Sequence, residues 1–162
     1  MANFLSFFTI QSNIFAAGVL IAAALSNRFG ALRGAATLYI ATTGLVYALL
    51  LAGLEESLQT TLHWVNFVLH YFTPAAVVAD WAIAPARLGG SYVRIIASWL
   101  SYPLLYCIYS LIRGALIGWY PYPFINPANG IGTVTLAIVG IAIAEALFAT
   151  LIIWYGRSRV RL

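Results

Sequence analysis

The sequence predicts an all-α protein, a polytopic bundle of transmembrane helices. Of the 162 residues, 63% are hydrophobic and only 7% are charged, whereas about a quarter of the residues in a soluble domain are charged. A soluble fold of this length with so few charges could not cover its surface with polar groups, so we expect the chain to lie in a bilayer. The apolar runs do not alternate with polar residues at a period of two, which argues against transmembrane strands.

Five apolar stretches are long enough to cross a bilayer, since a span takes about 20 helical residues. They cover residues 4–26, 34–53, 60–84, 93–116 and 133–155. Between the last two lies GWYPYPFINPANGIG, whose prolines, glycines and aromatic residues are typical of a loop at the membrane interface. We therefore predict one domain, residues 1–162, with five spans. The N-terminal MANFLSFFTIQSN lacks a basic n-region and a clear cleavage site, so we expect it to belong to the mature protein.

The basic residues predict how the chain is oriented in the membrane. They are eight arginines and no lysine, scattered between apolar stretches, which is not the pattern of a nucleic-acid-binding surface. Seven of the eight lie in the first loop, the third loop and the C-terminal tail, which share one side of a five-span bundle. The positive-inside rule then predicts an N-terminus outside and a C-terminus inside. The exception, Arg113, could either snorkel to the outer interface or face an interior anionic group.

A polar stripe marks the third span. Its members are spaced by four, three, four and three residues, as on one helical face: Gln59, His63, Asn66, His70 and Thr73. Unpaired polar groups are costly in hydrocarbon, so this face should point into the bundle or a wet cavity. It could simply join helices by hydrogen bonds, but five polar residues on one face favour a function. Pro74 removes the helical partner of the His70 carbonyl and predicts a kink there.

The first span supplies hydroxyl groups on the same side of the membrane as the histidines. Thr9, Ser12 and Asn13 share one helical face near the outer end. A hydroxyl and an imidazole at similar depth are the minimum set for nucleophilic catalysis, because the imidazole can take the hydroxyl proton. The alternative is that these side chains bond their own backbone or a neighbouring helix, as Ser and Thr in membrane helices often do.

The last two spans carry further polar groups. One face of the fourth span could be a packing surface or a cavity wall for a polar head group: Tyr102, Tyr106, Tyr109 and Arg113. In the same span Pro103 should free the carbonyl of Trp99. Glu145, in the middle of the fifth span, should be either neutral and hydrogen-bonded or paired with an interior cation. Asp80 is expected to pair with Arg87 or Arg94. No metal-ligand motif occurs, and no cofactor is predicted.

Several of these segments resemble the androgen-induced membrane protein family. They are FFTIQSN (Phe7–Asn13), NFVLH (Asn66–His70) with Pro74 and Asp80 after it, and GWYPYPFINP (Gly118–Pro127). Animal members are membrane threonine hydrolases that cleave fatty acid esters of hydroxy fatty acids. The resemblance implies that Thr9 is the nucleophile and His70 the general base. It further implies that membrane lipids and a lipid-like ester are partners.

The chain departs from this family in two respects. Phe67 stands where the family has the first of two histidines. The family also has six spans, whereas this chain begins just before the second of them. Three alternatives would account for the difference: a shortened chain, a mis-assigned start or a genuine five-span form. The missing span would leave one face of the bundle unfilled, which a partner chain in a homo-oligomer or lipid could cover. Besides ester hydrolysis, two hypotheses remain: a non-enzymatic protein that binds a lipid in a polar cavity, and proton-coupled transport through His70, Glu145 and Asp80.

Overall fold

The computed structural model describes residues 3–54 and 62–159, and within these ranges it is helical, with no strand. Gln59 of the predicted stripe lies outside the described residues. The α-helices are α1 (Phe8–Leu25), α2 (Gly30–Val46), α3 (His63–Phe67), α4 (Thr73–Ile83), α5 (Tyr92–Ile117) and α6 (Ile131–Arg159). A π-helical turn, Tyr47–Leu51, continues α2, and a second one, Val68–Phe72, joins α3 to α4. Short 3₁₀ turns cover Phe4–Ser6, Asn27–Phe29, Pro123–Ile125 and Pro127–Asn129.

Four helices in the described ranges are long and apolar enough to cross a membrane. They are Phe8–Leu25, Gly30–Leu51, Tyr92–Ile117 and Ile131–Arg159. The third predicted span is one helical segment of three pieces, His63–Ile83, interrupted by the π turn. Large apolar side chains such as Leu25, Ile83 and Leu116 point outward and are mostly exposed, as expected of surfaces that face lipid. The structure thus confirms an all-α, membrane-compatible fold.

Helix α2 is the centre of the bundle, and α1, α4 and α6 all pack against it. Its residues 34–40 form a continuous buried run. Three of them, Gly34, Ala35 and Ala36, are small, so neighbouring helices can approach closely. The aromatic rings of Trp81 and Trp99 come from α4 and α5 and lie against Gly34. At this point of the core, small residues on α2 therefore pack against large rings from its neighbours.

Both helix-interior prolines change the backbone hydrogen bonds near them. The π turn Val68–Phe72 ends just before Pro74, with the amide of Thr73 bonded to the carbonyl of Val68. The expected irregularity at His70 is therefore present as a wider helical turn. In α5, Pro103 leaves the carbonyl of Trp99 without its helical donor, and the Tyr39 hydroxyl donates to it at 2.8 Å.

The expected pairing of Asp80 with Arg87 or Arg94 was wrong. Asp80 Oδ2 lies 2.7 Å from Nη2 of Arg33 on α2. That guanidinium also donates to the carbonyl of Ala84 at 2.9 Å, at the end of α4. The reason is that α2 and α4 are packed neighbours, so the first turns of α2 lie beside the last turns of α4. The prediction chose the arginines nearest to Asp80 in the sequence, whereas the true partner lies on a neighbouring helix.

Replacing Gly34 by alanine should destabilise the fold. A Cβ at this position would lie 2.5 Å from Cη2 of Trp99 and 3.3 Å from Cη2 of Trp81. Overpacking of this kind costs about 1–3 kcal/mol, so Gly34→Ala should lower the thermal unfolding temperature in detergent. The matched control is Gly18→Ala on α1, where a Cβ meets nothing within 4 Å. Gly34→Ala protein as stable as the parent would contradict the close approach of α5 to α2.

Candidate active site

The start of α1 is held by tyrosine hydroxyls from other parts of the chain. The first amides of a helix have no acceptor within it, and Phe7 at the N-cap offers no side-chain oxygen. Instead, the Phe8 amide donates to the Tyr106 hydroxyl at 3.2 Å, and the Thr9 amide donates to the Tyr122 hydroxyl at 3.3 Å. These bonds fix the position of Thr9, whose side chain is buried.

Thr9 and His70 are in direct contact. Oγ1 of Thr9 lies 3.2 Å from Nε2 of His70, so the first turn of α1 meets the π turn that joins α3 to α4. The two residues are 61 positions apart in sequence, and only the tertiary packing brings them together. A hydroxyl at hydrogen-bond distance from an imidazole is the geometry required for proton transfer during nucleophilic attack.

The environment of Nδ1, the ring nitrogen that does not contact Thr9, identifies the tautomer of His70. Nδ1 lies 3.1 Å from the backbone carbonyl oxygen of Asn66. Because a carbonyl only accepts, Nδ1 must carry the hydrogen of a neutral ring, and Nε2 is then the acceptor. The Thr9 hydroxyl therefore donates to Nε2, the direction that a general base requires. The imidazole also stacks on the Tyr47 ring, with centroids 4.1 Å apart and planes at 23°.

The other predicted polar residues near Thr9 support the backbone around it. Asn13 Nδ2 donates to the carbonyl of Thr9 at 2.8 Å, and Ser12 Oγ donates to the same carbonyl at 3.2 Å. Ser12 Oγ also lies 3.1 Å from Oγ1 of Thr43 on α2. Asn66 is buried, and its side-chain amide donates to the Tyr47 hydroxyl. Ser12, Asn13 and Asn66 thus hold the elements that carry Thr9 and His70.

Tyr122 is the site residue that sequence reasoning missed. Its hydroxyl lies 3.4 Å from Oγ1 of Thr9, in addition to its bond with the Thr9 amide. The ring is buried and stacks on Phe124, with centroids 5.1 Å apart. Burial raises the pKa of Tyr122, so the phenol remains protonated at neutral pH. The available signal was the segment YPF within the loop, which was noted only for its resemblance to a family motif.

A cavity of about 510 Å³ opens beside Thr9. Helices α2, α5 and α6 supply most of its wall, and the loop after α5 closes part of it. The lining is predominantly apolar, and its polar side chains include Thr9, Thr42, Tyr106, Tyr122 and Glu145. Tyr106 also donates to the Ser6 carbonyl at 2.9 Å, so its hydroxyl both closes the helix start and lines the cavity. Such a space suits an apolar chain whose polar end reaches Thr9.

Of the predicted cavity residues, Tyr106 and Glu145 line the cavity, whereas Ser12, Asn13, His63, Asn66 and Tyr102 do not. His63 is exposed at the start of α3 and does not line the cavity. Tyr102 lies outside the lining, where its hydroxyl donates to Oε1 of Gln11 at 2.8 Å. Arg113 donates to Oδ1 of Asn3 at 2.7 Å and lies over the Trp119 ring. Within residues 3–54 and 62–159, no three His, Cys, Asp or Glu side chains are grouped so that they could hold a metal ion.

The His70 tautomer can be tested by NMR on protein labelled with ¹⁵N-histidine. We expect a neutral ring protonated at Nδ1, and Thr9→Val should shift the Nε2 resonance because it removes the donor hydroxyl while keeping the branched shape. His63, which is exposed, serves as the internal control and should not respond to Thr9→Val. A ring protonated at Nε2 would contradict the donor direction inferred between Thr9 and His70.

Comparison of the chain with protein-family models, with curated proteins and with solved structures finds no match. Its function is therefore inferred from the chemistry of its own residues. The contact between Thr9 and His70, together with the apolar cavity beside it, is the main basis for that inference.

Proposed function

We propose that this protein is an integral membrane hydrolase of lipid esters, with Thr9 as nucleophile and His70 as general base. The observation that carries the proposal is the 3.2 Å contact between Thr9 Oγ1 and His70 Nε2, in a ring whose Nδ1 faces the Asn66 carbonyl. The resemblance of FFTIQSN and NFVLH to the androgen-induced family points to the same two residues. Fatty acid esters of hydroxy fatty acids, or similar lipid esters, are the proposed substrates.

The reaction would proceed by acyl transfer through Thr9. Oγ1 attacks the ester carbonyl carbon while its proton passes to Nε2 of His70. As the tetrahedral intermediate collapses, the bond to the leaving alkoxide breaks and His70 returns the proton to that oxygen, leaving an acyl-threonine. Water then attacks this second ester, His70 again takes and returns the proton, and the fatty acid leaves with Thr9 restored.

Tyr122 would stabilise the negative oxygen of the intermediate. Its hydroxyl accepts the Thr9 amide hydrogen. Because the Thr9 hydroxyl hydrogen goes to Nε2, the hydrogen of Tyr122 points to Oγ1, and it can turn to a substrate oxygen beside that atom. The 3.4 Å separation from Oγ1 places that donor beside the reacting carbonyl. The His70 ring is oriented by a backbone carbonyl and by the Tyr47 ring, in place of the carboxylate found in many catalytic triads.

The membrane setting suits such a substrate. Acyl chains can enter the apolar cavity from the surrounding lipid, while the hydroxyl groups of Thr9 and Tyr122 meet the ester. We further propose five spans, with the segment His63–Ile83 as the third, an N-terminus outside and a C-terminus inside a bacterial cytoplasmic membrane. Arginines in the first loop, the third loop and the tail support this orientation.

The second candidate is a non-enzymatic protein that binds a lipid in the same cavity. The size and apolar lining of the cavity favour this function as much as they favour hydrolysis. The difference lies in the reactivity of Thr9, because a lipid-binding protein does not need an activated nucleophile. The two candidates can therefore be separated by a probe that reacts covalently with activated hydroxyl groups.

A lipophilic alkyl fluorophosphonate should label Thr9. In the labelling reaction Oγ1 displaces fluoride from phosphorus, and a base is needed to take the hydroxyl proton. We expect His70→Ala to abolish the adduct, as mapped by mass spectrometry of peptides, and to abolish turnover of lipid esters. Thr150→Ala is the matched control, because Thr150 is an exposed threonine on α6 whose hydroxyl bonds its own helix. Folded protein with neither adduct nor turnover would leave lipid binding as the function.

Tyr122→Phe should lower kcat by about 10²–10³-fold, the usual effect of removing one donor to a developing oxyanion. KM should change little, because the ring and its stack on Phe124 remain. Steady-state kinetics on a chromogenic long-chain ester would measure both constants. The control is Tyr155→Phe, which removes a hydroxyl bonded to the Ala82 carbonyl at 2.8 Å but does not alter the cavity lining. Equal losses in the two variants would indicate that Tyr122 acts only through stability.

A further inference from the structure

Glu145 has no part in the chemistry at Thr9, although it lines the same cavity. It lies near the middle of α6, and only 5% of its surface is exposed. A carboxyl group at such a position loses its hydration and needs a partner to offset the loss. The groups around the Glu145 carboxyl determine which partner it can have.

No basic side chain of the protein faces this carboxyl in the described cavity lining, which holds no Arg, Lys or His. The arginines with defined contacts are engaged elsewhere: Arg33 with Asp80, Arg113 with Asn3, and Arg157 with the carbonyls of Leu88 and Gly90. His70 faces Thr9. The two forms expected from the sequence were a neutral hydrogen-bonded carboxyl and a pair with an interior cation, and the described part of the chain supplies no such cation.

Thr42 is a second buried polar residue of the cavity wall. Its hydroxyl lines the cavity from α2 and has no hydrogen-bond partner among the described residues. The hydroxyl of the adjacent Thr43, in contrast, donates to the Tyr39 carbonyl and contacts Ser12. Buried hydroxyl groups without partners are uncommon in folded proteins. Thr42 and Glu145 thus offer unused hydrogen-bonding capacity to one apolar space.

We propose that Glu145 and Thr42 form a binding subsite for the amino group of a lipophilic amine. An ammonium group has only donors, and it complements a carboxylate and a hydroxyl oxygen. A neutral amine can partition into the bilayer, enter the cavity and take the proton of the Glu145 carboxyl, so that N–H forms as O–H breaks. The resulting ion pair carries no net charge into the apolar wall. The amine's alkyl chain then occupies the remaining cavity, which is lined mainly by apolar side chains.

This inference concerns binding and does not depend on ester hydrolysis. A lipid amine held at Glu145 would occupy the space proposed for an acyl chain, so it would act as a competing ligand if the protein is a hydrolase. If the protein only binds lipids, the same amine would be its ligand. The test therefore measures binding, and its result is separate from any result on turnover or on Thr9.

Octylamine, octanol and octanoate are the probes, because they share a chain length and differ only in the polar group. Their binding to the full chain in nanodiscs can be measured by equilibrium dialysis at pH 7.5, with empty nanodiscs subtracted for partitioning into lipid. We expect octylamine to bind more tightly than octanol, and octanoate to show no specific binding. Glu145→Gln keeps the side-chain shape and removes the charge, and it should weaken octylamine binding about tenfold or more, as the loss of a charge-assisted hydrogen bond does.

Matched variants separate the subsite from general packing. Thr42→Val should weaken octylamine binding less than Glu145→Gln, since it removes one neutral acceptor. Thr150→Val, on the exposed face of the same helix as Glu145, should leave binding unchanged. Thermal unfolding of each variant would establish that it is folded before binding is measured. Octanol that binds as tightly as octylamine, or octylamine binding that is unaffected by Glu145→Gln, would overturn the proposal.

Discussion

The arrangement of the site depends on how the unpaired amides at the start of α1 are satisfied. In an apolar environment an amide without an acceptor is costly. Here the hydroxyl groups of Tyr106 and Tyr122 accept the amides of Phe8 and Thr9. These two bonds attach α1 to α5 and to the loop after it. They therefore determine where Thr9 lies relative to every other group in the site.

Two irregular helical turns meet beside Thr9. The π turn Val68–Phe72 precedes Pro74 and carries His70, and the π turn Tyr47–Leu51 carries the ring on which His70 stacks. In α5, Pro103 leaves the Trp99 carbonyl open, and Tyr39 from α2 donates to it. In each case a backbone irregularity in an apolar bundle is matched by an aromatic side chain. The tyrosines of this protein thus act mainly as hydrogen-bonding partners between helices.

The cavity combines two chemically different regions. At one, the hydroxyl groups of Thr9 and Tyr122 meet next to the imidazole of His70, and each of these three side chains has a defined partner. At the other, the carboxyl of Glu145 and the hydroxyl of Thr42 face an apolar space without a protein cation among the described lining residues. The first region is organised for proton transfer. The second is organised for a ligand that brings its own donors.

The sequence by itself determined the helical class and the long apolar helices suited to a membrane, and it marked several residues of the candidate site. Composition and span length required helices in a bilayer, since a bilayer leaves few other ways to satisfy the backbone. The family resemblance selected Thr9 as nucleophile and His70 as base. Helical spacing and Pro74 marked the face and the turn that carry His70, and spacing placed Thr9, Ser12 and Asn13 on one face near the outer end of α1. These inferences use only neighbours along one helix, for which spacing is a reliable guide.

Only the tertiary structure decided which residues meet across helices. It placed Thr9 3.2 Å from His70, brought Tyr122 from a loop 113 residues away to Thr9, and paired Asp80 with Arg33 on α2. It also left His63 exposed and put Glu145 in the cavity wall. The physical reason is that these contacts depend on which faces of α2 its neighbours cover. Small residues and large aromatic rings together determine that packing, and residue spacing along a single helix does not predict it.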